Sequence, residues 1–175
     1  MKKIFFLSLV LFLSIASKAQ KFAYIDTEYI LSKVPEYQEA QKQLDALSEQ
    51  WQKQVEKRYE AIEKMHKDLQ AEEILLTESM KNKRQEEIIT KEQEARDFQK
   101  KKFGIDGELF KKRKELIKPI QEKIYKAVQE TANVGKYSVI FDKASDATMV
   151  YSNPKYDKSD DILRRMGIKP EGDSK

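Results

Sequence analysis

From Tyr37 to about Asn133, apolar residues recur at spacings of three and four. Almost everything between them is Lys, Glu, Gln, Arg or Asp, and no Pro or Gly intervenes between Pro35 and Gly104. The spacing predicts one long charged helical region, broken once near Leu76–Thr77. A chain with an apolar stripe but no apolar interior cannot bury itself in a globule. It folds instead as an antiparallel helical hairpin or coiled coil projecting into solvent.

The first arm begins at Pro35-Glu36, where proline suits a first helical position. Its seam runs through Tyr37, Ala40, Leu44, Leu47, Trp51, Val55, Tyr59, Ile62, Met65 and Leu69. A helix over 36–75 would be ~60 Å long at ~1.5 Å per residue. The tip falls at 74–80, with Thr77 or Ser79 as cap of the returning helix. Ile74, Leu75, Leu76 and Met80 cluster there. They either seal the turn or form an adaptable contact patch. The returning arm includes Ile88, Ala95, Phe98, Phe103, Leu116, Ile120, Ile124 and Val128. Gly104 and Gly107 sit inside it, either as a close-packing site or as a hinge. Pro119 removes one helix hydrogen bond and implies a kink. Gly135 is the expected C-cap.

The two ends of the chain read differently. Residues 22–25 are β-prone. Thr27–Leu31 reads as a helical turn capped by Asp26 or Thr27. Tyr137–Asp142 and Thr148–Tyr151 read as two strands joined through 143–147 as a hairpin. Asn153-Pro154 turns the chain, Ser159 is expected to cap a last helix over 160–166, and Gly167 closes it. Residues 169–175 are expected to be a loose tail. Segments 20–35 and 134–168 thus form a small β-rich body. Roughly 50 residues with a three-stranded sheet and open edges are too few to stand alone. The body is therefore expected to oligomerise, through Phe22, Tyr24, Ile25, Val139, Ile140, Phe141 and Val150.

The leader changes the reading of charge. Met1-Lys2-Lys3, a twelve-residue apolar run (Ile4–Ile15) and Ser17-Lys18-Ala19 read as a cleavable secretory signal, cut after Ala19. Losing Lys2, Lys3 and Lys18 lowers the formal charge from +4 to +1. That weakens any case for a nucleic-acid binder. Charge remains polarised: 36–75 carry net −4 and 96–126 net +6, so the two arms attract, weakly and salt-sensitively.

Chemistry finds little purchase. His66 is the only histidine and there is no Cys, so neither a metal site nor a thiol nucleophile is expected. No Gly-rich phosphate loop is present. The carboxylates lie on helix faces where ordinary pKa values suit no acid–base role. The reading is of a non-enzyme without cofactor.

The early Phe22-Ala23-Tyr24-Ile25-Asp26 strand, the charged hairpin, Leu116-Ile117-Lys118-Pro119-Ile120 and the Tyr137–Tyr151 ending followed by Asn153-Pro154 and Ser159–Leu163 together resemble the Skp/OmpH family of periplasmic chaperones. The resemblance covers residues 21–166 and rests on the order and lengths of the parts. It implies an α+β fold, mostly α, with a helical-hairpin tentacle on a small β body that trimerises into a jellyfish shape. It further implies an ATP-independent holdase whose arms enclose unfolded outer-membrane proteins. Client contacts are then expected at Tyr59, Met65, Leu75, Leu76, Met80, Phe98 and Phe103, with Gly104, Gly107 and Pro119 as hinge candidates. Transient contact with anionic membrane lipids would use Lys100–Lys102 and Lys111–Lys114, although the near-neutral mature chain departs from the basic character of well-known members. The competing reading is an exported coiled-coil adaptor of the cell envelope, docking through a rigid tip.

Overall fold

A computed structural model describes residues 20–145 and 149–170. The leader, residues 146–147 of the expected hairpin loop, Thr148 at the start of the expected second strand and residues 171–175 of the expected tail lie outside the described residues. The chain divides into two compact units, one of Val34–Glu122 and one of the segments before and after it.

In the terminal unit, β1 (Lys21–Ile25) leads through Asp26 into α1 (Thr27–Lys33). Asp26 is the cap: its carboxylate accepts from the Tyr29 N–H at 2.9 Å. β2 (Tyr137–Asp142) pairs with β1 in parallel, Phe22 opposite Val139 and Ile25 opposite Asp142. Parallel pairing needs a long connection, and everything from 26 to 136 supplies it. On its other edge β1 meets Asp157 in a single bridge, with the Lys158 N–H donating to the Tyr24 carbonyl at 2.8 Å.

The C-terminal hairpin is a correction. Met149–Tyr151 forms no strand, and β2 turns to β1 instead. The reason lies at the end of β2. The Asp142 side chain accepts from the Ala144 N–H at 3.1 Å, and its carbonyl accepts from the Ser145 hydroxyl at 2.7 Å. That local turn diverts the chain before a hairpin can close.

Two caps also differ from expectation. The N-cap position of α5 (Ser159–Arg165) is Lys158, which makes no side-chain cap bond, and Asp157 before it accepts from the Ser159 N–H at 2.8 Å. The Ser159 hydroxyl is used elsewhere, donating to Asp157 and accepting from the Asp26 N–H. α4 (Glu108–Gly135) ends without a left-handed glycine: Lys136 takes the positive φ of 54°. Gly135 has a different reason, since a Cβ there would collide with the Tyr137 ring. Gly167 does close α5, at φ 77°. Ile30, Ile162 and Leu163 are fully buried in this unit, with Ile124 and Ala127 also buried.

In the central unit, α2 (Pro35–Glu72) is an uninterrupted 38-residue helix. A 3-10 turn over Glu73–Leu75 follows it. α3 (Glu78–Phe103) returns, capped by Thr77, whose hydroxyl accepts from the Met80 N–H at 3.3 Å. The expectation of a single break is corrected here. The returning arm breaks again at Gly104–Gly107, and α4 starts at Glu108. Neither glycine has a positive φ; they are needed for close approach. A Cβ on Gly107 would lie 2.8 Å from both the Gly104 nitrogen and the Lys102 carbonyl, and one on Gly104 would strike the Lys100 carbonyl. The turn is tied by Gly107 N–H donating to the Gly104 carbonyl at 2.8 Å. α4 runs through Pro119, the residue at which a kink was expected.

Candidate functional site

The helical hairpin packs by a thin seam. Ile62 on α2 and Ile88 and Ala95 on α3 are buried together, with Met65 and Leu69 packed against them. Small Ala95 lets the helices approach, but α3 offers few other apolar groups to the contact. Polar and aromatic links extend the seam in both directions. Toward the tip, Arg84 pairs with Glu72 at 3.3 Å. Midway, His66 meets Glu92 at 3.1 Å, and that hydrogen bond is the main reason the Glu92 carboxyl is held below its usual range. Toward the turn at 104–107, the Arg58 guanidinium lies 3.9 Å from the centre of the Phe98 ring. Trp51 meets Phe103 edge-on, with ring centres 6.3 Å apart.

The structure sorts the seven contact candidates into two sets. Leu75 is 83% exposed and Met80 half exposed, beside Ile74 at 97%. These side chains do not seal the turn; only Leu76 is partly covered. Exposed branched groups flanked by Glu72, Glu73, Glu78 and Lys81 make an apolar knuckle with a charged collar. Met65, Phe98 and Phe103 are half-buried in the seam instead. Tyr59 lies between the sets, exposed, its hydroxyl 3.4 Å from Gln99 Oε1. The sequence marked the tip by composition but not its exposure, which depends on how the 3-10 turn aims the side chains. Lys102 stood out in the sequence only as part of the basic run Lys100–Lys102. Nothing in a Lys-Lys-Lys run says which member packs on an aromatic ring. Ile105 is exposed in the Gly104–Gly107 turn.

In the terminal unit, Tyr24 and Ile25 are 7% and 5% exposed and thus covered by their own chain. Phe22, Val139 and Phe141 remain substantially exposed, Ile140 is partly covered, and Val150 is 93% exposed. Phe22 and Phe141 stack across the sheet at 6.4 Å. They face a cleft of about 1060 Å³ shared with Tyr137, Tyr151 and Tyr156. The unit is therefore left with a large aromatic surface unsatisfied by the chain itself.

Comparison with known proteins places this architecture. An uncharacterized protein of Aquifex aeolicus (strain VF5) is 29% identical over 166 residues, which are 95% of this chain and 96% of that one. A crystal structure from Caulobacter crescentus CB15, of an OmpH-like protein proposed to be an outer membrane chaperone, superposes with a TM-score of 0.68. The two are 12% identical and each is covered over 86% of its length, so the likeness is one of fold. The model of the outer membrane protein (OmpH-like) family matches residues 21–166. With the strand–arm–strand order just described lying inside that match, the chain belongs to the OmpH-like family.

Proposed function

We propose that this chain is an ATP-independent holdase of the periplasm. It is exported by its leader, assembles through the β body as a homotrimer, and encloses unfolded outer-membrane proteins between its helical arms before their insertion. The observation that carries the reading is the pair Ile74 and Leu75, 97% and 83% exposed at the tip of a highly charged arm. Such groups gain by covering apolar segments of a client, at ~25 cal/mol per Å² of apolar area buried. The interleaved Lys and Glu side chains keep the loaded complex in solution. Many weak, non-directional contacts hold a client without selecting one conformation, and the client's own folding into a membrane drives release. No nucleotide cycle is required. Family membership and the outer-membrane chaperone role suggested for the Caulobacter protein support the same reading.

The test is dilution of a denatured β-barrel protein into buffer containing the purified chain, followed by light scattering. Suppressed aggregation at stoichiometric trimer is expected; unchanged scattering counts against the reading. The second reading, an envelope adaptor that docks by its tip, draws on the concentration of exposed apolar groups at 74–80. Substitutions at the tip alone would abolish adaptor function. A holdase loses capacity in graded steps from changes along the arm.

A further inference from the structure

Lys102 is the last but one residue of α3, between two exposed regions, yet its side chain is only 15% exposed. Its ammonium lies 4.5 Å from the centre of the Trp51 ring on α2 and 5.6 Å from that of Phe98 on its own helix. It also pairs with Glu108, the first residue of α4, across the Gly104–Gly107 turn. One cation thus grips both neighbours of the turn, while Phe103 beside it meets the Trp51 edge. A cation over indole is among the more favourable cation–π arrangements.

What Lys102 fastens is weakly held otherwise. Of α3's 26 residues, Ile88 and Ala95 are buried. Beyond the Arg58–Phe98 and Trp51–Phe103 contacts, the described ties to α2 are pairs at Arg84, His66 and Tyr59, the kind that water competes for. α3 is also self-contained. Thr77 closes its start, and the Gly104 N–H closes its end by donating to the Lys100 carbonyl. It can leave α2 with its own helical hydrogen bonds intact. α2, which has no Pro or Gly after Pro35, stays a rod when it does.

We propose that α3 is a releasable strap: Lys102, gripped by Trp51 and Phe98 and tied to Glu108, latches it to α2, and release bares Ile62, Met65 and Leu69 as a second client surface. The latch stands by itself; the client surface rests on the holdase reading.

The experiment has two arms. Backbone amide exchange of the full chain, without client, compares wild type with Lys102→Met, Glu108→Gln and Lys102→Arg. Exchange across residues 84–103 should rise several-fold in Lys102→Met and less in Glu108→Gln, and return toward wild type in Lys102→Arg, while α2 stays protected. Trp51, the only tryptophan, should become more accessible to a quencher in step. Unchanged exchange in both variants overturns the latch. The second arm measures binding of a denatured outer-membrane β-barrel protein. Several-fold tighter binding by Lys102→Met supports the hidden surface. Faster exchange with unchanged binding overturns that half. A wild-type chain that holds no client removes it together with the holdase reading, and the exchange data still judge the latch.

Discussion

The backbone N–H of Asp26 donates to the hydroxyl of Ser159 at 2.9 Å, joining residues 133 apart in sequence. The same hydroxyl donates to Asp157 at 2.6 Å, and Ser159 is buried. One small side chain therefore couples the end of β1, the start of α1 and the start of α5. Ser159→Ala leaves a covered N–H without its acceptor, which costs about 1–3 kcal/mol. Urea denaturation should show the midpoint falling with an unchanged slope. An unshifted midpoint would mean that water replaces the hydroxyl.

Lys136 holds a left-handed backbone at φ 54°, a conformation that costs a non-glycine residue about 1 kcal/mol. Lys136→Gly should stabilise the chain by up to about 1 kcal/mol. Thermal unfolding checks this, with a higher midpoint expected. A lower one would show that the lysine side chain has a compensating contact.

Gly107 is closely surrounded by backbone in the turn between α3 and α4. Gly107→Ala places a methyl against backbone atoms 2.8 Å away, and the turn must open to admit it. A loss of about 1–3 kcal/mol is expected. The accompanying sign is faster amide exchange around Lys102, since Lys102 and Glu108 flank the displaced segment. Wild-type stability with wild-type exchange would show the turn to be soft.

The tip should behave in the opposite way. Ile74→Ser with Leu75→Ser removes two side chains that are almost fully exposed, so stability should change by no more than about 0.5 kcal/mol. Aggregation suppression should nevertheless fall. A stable variant with full holding capacity would exclude the tip from client contact.

Protonation affects the seam on the acid side. The hydrogen bond from Lys102 holds the Glu108 carboxyl below its ordinary value of 4.5, and the one from His66 does so for Glu92. A lowered carboxylate pKa contributes stability that is present above the ordinary value and lost as pH falls through the lowered one. Trp51 emission should therefore change below about pH 4.5 in wild type, and this change should be smaller in Glu108→Gln. In the terminal unit, Asp161 raises the Lys158 ammonium above 10.5. That contribution is complete below 10.5 and lost as pH rises through the raised value. Added salt should weaken these effects. An acid response identical in Glu108→Gln would assign the change to other carboxylates.

Much of the arm was legible without coordinates. The three-and-four spacing located α2 and α3, Pro35 marked the start, and Thr77 was one of two residues named for the returning cap. Asp26 was one of two residues named for the first short helix's cap, and Gly167 was read correctly as a stop. These signals act within a turn or two of helix, so local sequence is enough to specify them. The second break was visible as two glycines but was read as an interruption inside one helix, because spacing alone does not reveal that a Cβ at 107 would lie 2.8 Å from other backbone atoms. Only the tertiary structure decided that β2 lies parallel to β1 and that Met149–Tyr151 stays unpaired. It also gave Ser159 its partner and set Lys102 apart from Lys100 and Lys101. Strand pairing and the covering of one side chain among equals depend on groups brought from far along the chain, and no window of neighbouring residues contains them.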